Sequence, residues 1–199
     1  MQISDYSQNP QFNIHPDATD IQPARFTLEQ FMQMTELGFF ENKRVELIRG
    51  EIIVMPITKP PHAAFIRRLT RMCLATLGTR ASVSPQCPVI QNRVLDDYLE
   101  PDVALLTYDE NEYSERDVAP ADTLLAIEVS DSTLRYDRLT KTVLYAEYGI
   151  PEVWIINVKR NELEVYREPN PEGYGTKLSF ERGVAVAPLA FPNDLLEWW

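Results

Sequence analysis

The stretch Thr123-Leu-Leu-Ala-Ile-Glu-Val-Ser130, followed by Asp131 to Gly149 and then by Pro151-Glu-Val-Trp-Ile-Ile-Asn157, decides the fold. It reads as strand, helix, strand. Leu124, Leu125, Ala126, Ile127 and Val129 form an almost unbroken apolar run of strand length, and Val153 to Ile156 form a second. Such runs suit strands covered on both faces. Between them Asp131, Ser132 or Thr133 can cap a helix start, and Gly149 followed by Pro151 stops it. Glu128 is out of place in this pattern. An unpaired carboxylate buried in an apolar run costs about several kcal/mol, so a partner is expected. On the following helix Arg138, Lys141, Tyr145 and Tyr148 recur at three- and four-residue spacings, which puts two cations and two phenols on one face. Lys141 is the first candidate partner for Glu128, and a metal ion is the second.

The surroundings of this unit set its context. With 199 residues, 44% of them hydrophobic, the chain can build one good core and is short for two. Residues 1–24 carry Gln, Asn, Pro and aspartates without periodicity and are expected to form a flexible tail, with one domain over 25–199. Thr27-Leu-Glu-Gln30 resembles a capping box for a short helix, and Arg44 to Met55 reads as two strands joined at Arg49-Gly50. Val83 to Gln91, interrupted by Pro85 and Pro88, reads as an edge or bulged strand, and Leu99 to Leu106 as a strand that opens on an acidic pair. Lys177 to Phe180 reads as a last weak strand.

Charge excludes some functions. The net charge is -11, which argues against a protein that coats nucleic acid nonspecifically, because that needs clustered Lys and Arg. One basic patch nevertheless stands out. Pro60-Pro61 open a helix running to Leu77, and from Lys59 to Arg80 there are five basic residues and no acidic one. A solvated helix face and a phosphate or partner surface both fit this patch. Cys73 and Cys87 lack metal-ligand spacing, and there is no signal peptide or apolar run of spanning length. The expectation is a soluble protein of a reducing cytoplasm with no membrane partner.

Three acids gather attention: Glu46, which strict alternation places on the strand face opposite Val45 and Leu47; Asp102, directly after Pro101; and Glu128. Converging carboxylates cannot all ionise without a cation. Mg²⁺ or Mn²⁺, which take oxygen ligands, would resolve that conflict. Each acid also has a structural reading, Glu46 paired with Arg44 or Arg49, Asp102 in a turn and Glu128 in a buried ion pair.

Val45-Glu-Leu-Ile-Arg-Gly-Glu51, His62 opening a helix, Pro101-Asp102-Val103, Ile127-Glu-Val-Ser-Asp-Ser-Thr133, then Asp137, Lys141, Tyr145 and Gly149-Ile-Pro-Glu-Val-Trp154 occur in that order. The series resembles a bacterial family of putative restriction endonucleases within the PD-(D/E)XK nuclease superfamily, from about Phe26 to the C-terminus. The resemblance implies an α/β (α+β) fold: a restriction-endonuclease-like core of mixed β-sheet flanked by helices, with an N-terminal helix-hairpin extension. It implies Pro101-Asp102 as the first motif and Glu128 as the second acid. Ser130 stands where the superfamily's simplest pattern has lysine, and that role falls to Lys141 on the next helix. The implied activity is metal-dependent hydrolysis of phosphodiester bonds in DNA, with Asp102 and Glu128 holding Mg²⁺ or Mn²⁺, Glu46 assisting and Lys141 orienting the attacking water. Tyr145, Arg138 and His62 are expected to contact phosphate or to support the ligands. The alternative is a catalytically silent nuclease-fold protein that binds nucleic acid or a protein partner, a reading prompted by Ser130 and the acidic surface. A homodimer is expected from the apolar C-terminus and the edge strands. The sequence has no P-loop, glycine-rich dinucleotide turn, zinc-type Cys/His cluster or serine elbow.

Overall fold

The computed structural model of the chain describes residues 23–91 and 97–199. The tail expected over 1–24, save its last two residues, and the turn at Asp96 lie outside them. Helix α1 (Leu28–Glu36) starts at the capping box read from the sequence: Thr27 Oγ1 accepts from the Gln30 N–H and the Gln30 side chain accepts from the Thr27 N–H. Strands β1 (Arg44–Ile48) and β2 (Glu51–Met55) form the expected hairpin. Arg49 and Gly50 both take positive φ, 51° and 78°, the twist that suits a two-residue turn. Gly50 is also held by space, since a Cβ there would lie 2.8 Å from Arg25 Cβ.

Helix α2 (Pro60–Leu77) begins on its prolines, whose missing N–H groups cost nothing in a first turn. The segment expected as one strand over Val83–Gln91 is cut in two. Strand β3 (Ala81–Pro85) ends at Pro85, Gln86 adopts φ 49°, and β4 (Val89–Gln91) begins after Pro88 in a different sheet. The strand expected over Leu99–Leu106 is likewise divided into β5 (Asp97–Leu99) and β6 (Val103–Thr107), with Glu100, Pro101 and Asp102 at the crossing. Pro101 has no N–H to give a ladder.

The strand, helix, strand unit is present, although Thr133 at the helix start makes no capping hydrogen bond and the helix is interrupted by a π turn. Strand β7 (Thr123–Ser130) pairs in parallel with β8 (Glu152–Asn157). Between them run α3 (Leu134–Tyr136), a π-helical turn (Asp137–Lys141) and α4 (Thr142–Glu147). Gly149 at φ 74° closes the helix, with Ile150 N–H returning to Tyr145 O and Gly149 N–H to Ala146 O, the paired bonds of a Schellman stop. Strand β9 (Glu162–Asn170) and a last strand β10 (Gly173–Glu181), longer than the sequence signalled, complete the sheet. Its order is β10-β9-β8-β7-β6-β3, mixed through the β7–β8 pair; a smaller antiparallel sheet runs β2-β1-β5-β4.

The period of two along β7 and β8 sends residues to opposite faces. Ile127, Val129, Trp154 and Ile156 join α2 residues Ile66, Leu69 and Cys73 in one core. Ala126, Val153 and Ile155 join Leu144 and Tyr145 of α4, with Ile48 and Leu99 of the small sheet, in the other. Glu128, aligned with Ile155, belongs by parity to this second face. The C-terminal apolar residues return to the first core, where Leu196 and Trp198 are buried and Trp198 Nε1 donates to Val184 O. They dock within their own chain, so the expectation of a homodimer loses that support and rests on the sheet edges. Among the described residues no helix is long and apolar enough to cross a membrane.

Candidate active site

The small sheet, the β5–β6 crossing, β7 and the helix after it meet around one cavity of about 430 Å³ lined by Arg44, His62, Asp102, Glu128, Asp137 and Lys141 among others. Lys141 is 1% exposed by its side chain and lies between two carboxylates. Its Nζ is 2.6 Å from Glu128 Oε1, 3.0 Å from Glu46 Oε1 and 3.0 Å from the Glu100 carbonyl. Three acceptors therefore meet the three donors an ammonium has. Glu46 also accepts from the Glu100 N–H and from the Tyr136 hydroxyl, and the Tyr145 hydroxyl donates to Glu128 Oε1 at 2.7 Å.

Asp102 is held from the other side. Its Oδ2 accepts the Val129 N–H at 2.9 Å, while Oδ1 faces His62 Nε2 at 3.2 Å and Arg44 Nη1 at 3.5 Å. Arg44 is anchored in turn by Glu100, its Nε donating to Oε1 at 2.8 Å. Asp137 was part of the sequence series without a role. Its Oδ2 accepts from the Ser130 and Thr133 hydroxyls at 2.6 and 2.7 Å. Ser130, at the position where the superfamily pattern places lysine, thus fixes an acid of the helix that carries Lys141.

These contacts set the charges. Burial works against the Lys141 ammonium, but Glu128 and Glu46 outweigh it and hold the group charged, well above the usual lysine range. Burial would raise Asp102, yet His62, Arg44 and the Val129 N–H keep its carboxyl below the usual range. Burial pushes Glu128 up to about 8; Lys141 pulls it down while Asp102, Asp137 and Glu46 push it further up. Four buried carboxyls, Glu46, Asp102, Glu128 and Asp137, exceed the cations that reach them. Burial and three acidic neighbours make Glu128 a member of the group that takes up a proton readily.

Of the residues singled out from sequence, the structure brings Glu46, Asp102, Glu128, Lys141, Tyr145 and His62 together. It does not bring Arg138. The extra residue of the π turn, closed by the Thr142 N–H on Asp137 O and by Thr142 Oγ1 on the same carbonyl, changes the angle between residues three apart. Arg138 instead grips Glu164 of β9 through Nε and Nη2 at 2.9 and 2.5 Å. Sequence reasoning missed the role of Arg44, although it lies two residues from Glu46 and so on the same face of β1. Tyr136 was missed as well, and nothing in its spacing marked it.

Residues 28–196 match the Uma2 family, described as "Putative restriction endonuclease". The chain belongs to this family. No curated protein matches it. The fold is shared with the crystal structure of a "putative nuclease belonging to DUF820" from Anabaena variabilis ATCC 29413, at a TM-score of 0.66 and 18% identity, over 87% of this chain and 97% of that one. The mixed sheet flanked by helices is thus the restriction-endonuclease-like fold, and the Uma2 match takes in every residue of the cavity cluster, from Arg44 to Lys141.

The donor set bears on the divalent ion that a nuclease family implies. Among the described residues no group of three His, Cys, Asp or Glu is arranged to hold a metal alone. Glu46 spends both oxygens on Lys141, Tyr136 and a backbone N–H. Asp102 and Glu128 both line the cavity as hard oxygen donors, beside Asp137; Asp102 has each oxygen facing a donor and Glu128 has Lys141 and Tyr145 on Oε1. Two carboxylates with room for water and phosphate suit Mg²⁺, which seldom takes an all-protein cage.

Proposed function

We propose that this Uma2-family chain is a nuclease that hydrolyses phosphodiester bonds in DNA, with Asp102 and Glu128 holding Mg²⁺ or Mn²⁺ and Lys141 as the lysine of the site. The observation that supports it best is the 2.6 Å approach of Lys141 Nζ to Glu128 in the cavity that Asp102 also lines. A bound ion would polarise a phosphate and acidify a water. The chain supplies the rest. Lys141, kept charged by its neighbours, sets a fixed positive group where phosphate oxygens gain charge. Glu46 and the Glu100 carbonyl orient that ammonium, Tyr136 holds Glu46, Tyr145 steadies Glu128, and His62 with Arg44 aligns Asp102. The expected homodimer stands on the sheet edges, and sedimentation of the purified chain tests it.

A second reading, binding of nucleic acid without turnover, is favoured by one observation: all three donors of Lys141 are already taken within the chain. Supercoiled plasmid in Mn²⁺ separates the two. Nicking by the wild type, abolished by EDTA and in Asp102→Asn and Glu128→Gln, supports the nuclease. Intact plasmid at millimolar Mn²⁺ with retained gel shift supports the silent binder, and cleavage that persists in Asp102→Asn would refute the assignment of the site.

A further inference from the structure

Helix α2 leaves the cavity carrying cations that the site does not use. Of the five basic residues between Lys59 and Arg80, Arg80 is clamped by both oxygens of Asp194 at 2.7 Å. Arg68 lies over the Phe65 ring at 5.5 Å, beside Trp198 and Trp199 on the C-terminal flank of the helix. Lys59, Arg67 and Arg71 remain. All three are exposed. None is in an ion pair among the described residues. In a chain of net charge -11, three exposed cations thus stand at the start and along the length of one helix with no carboxylate paired to them among the described residues.

Their placement gives them a direction. Lys59 lines the catalytic cavity. Arg67 and Arg71 stand two and three turns further along, about 12 and 18 Å of axial rise from Lys59. They edge a groove of about 480 Å³ between α2 and the end of β3, with Ala63 and Leu74 on its helix side and Pro85 and Gln86 opposite. The groove and the cavity are neighbours: His62 of the cavity precedes Ala63 of the groove along α2, and the Gln86 N–H donates to the Asp102 carbonyl at 3.1 Å.

We infer that the Lys59, Arg67 and Arg71 face of α2 carries the phosphate backbone of duplex DNA away from the cavity, so that the substrate is positioned by backbone charge along this helix. The inference rests on the nuclease reading of the cavity and deepens it by naming the form of the substrate. Duplex is favoured over single strand because the groove has no aromatic side chain among its described lining residues, whereas single-strand tracks stack bases on aromatics. Cations on an exposed helix face contact phosphates without reading bases.

The test is a salt titration of binding to a labelled 30-base-pair duplex and to one of its single strands, using the wild type in EDTA so that nothing is cleaved. Two double variants remove equal charge from different flanks: Arg67→Ala with Arg71→Ala, and Arg68→Ala with Arg182→Ala, the two arginines that line one pocket with Trp198 and Trp199. Losing two phosphate contacts should flatten the slope of log K against log salt by about 1.8 for the first pair, and leave it unchanged for the second. Equal slopes for wild type and the first pair, equal losses in both pairs, or tighter binding of the single strand would overturn the inference. Plasmid cleavage with an unchanged slope removes the α2 track and keeps the nuclease, whereas the expected slope change without any cleavage keeps the track and removes the nuclease.

Discussion

Arg138 and Lys141 are three residues apart on one helix, and each meets a buried glutamate, yet they build different things. Glu164, beside Arg138, is surrounded by donors: the Arg138 guanidinium, Lys177 Nζ at 2.8 Å and the Tyr166 hydroxyl at 2.7 Å. Burial works to raise its carboxyl, but these groups hold it below the usual range. Glu128, beside Lys141, has one cation, a phenol and three acids around it, and is pushed up to about 8. The first cluster is a satisfied ion pair that ties the helix to β9 and β10. The second keeps more carboxyl groups than cations next to a cavity, the balance on which the proposed cation site rests. The presence of a buried ion pair says little; its balance and its access to space separate scaffold from site.

The comparison can be broken at several points. Lys141→Met should have the largest effect, leaving Glu46 and Glu128 without their cation. We expect a loss of stability of about 3–5 kcal/mol and a fall in cleavage of at least about 10²-fold, read by denaturant unfolding and by plasmid nicking. Glu164→Gln should cost about 2 kcal/mol through its charged hydrogen bonds, with Mn²⁺ binding unchanged. Glu128→Gln should do the reverse. Because burial and acidic neighbours favour the uncharged form of Glu128, the amide should change stability by less than about 1 kcal/mol while abolishing metal binding. Equal destabilisation by the two glutamate variants would erase the distinction drawn between the clusters.

The pH dependence follows from the same asymmetry. The folded chain favours protonated Glu128, so its contribution to stability is complete below the ordinary glutamate range and is lost as pH rises through about 8. Glu164, held low, contributes in the opposite sense and loses its share as pH falls through its lowered value. A cation entering between Asp102 and Glu128 must displace the proton. Mn²⁺ affinity should therefore rise about tenfold per pH unit below pH 8 and level off above it, with one proton released per ion, measured in buffers of different ionisation heat. Affinity that is flat between pH 6 and 8 would place the proton elsewhere.

Much of this was legible locally. The apolar runs of β7 and β8, the stop at Gly149 and the Arg49-Gly50 turn each rest on residues close in sequence. The parity of Glu46 along β1 also pointed it away from Val45, and it is buried against Lys141. What failed depended on distant or cumulative geometry. Pro85 and Pro88 marked an irregular strand, but not that the chain would leave one sheet and enter another. The π turn that separates Arg138 from Lys141 is invisible to a count by three and four. The two C-terminal tryptophans looked like an unpartnered patch because their site, against α2, lies more than a hundred residues upstream.

The most direct measurement is Mn²⁺ titration calorimetry of the wild type beside Asp102→Asn at pH 8. The account predicts one ion bound by the wild type with no binding in the variant. No heat in the wild type at millimolar Mn²⁺, or equal binding by both proteins, would contradict the assignment of the cavity as a metal-dependent hydrolytic site.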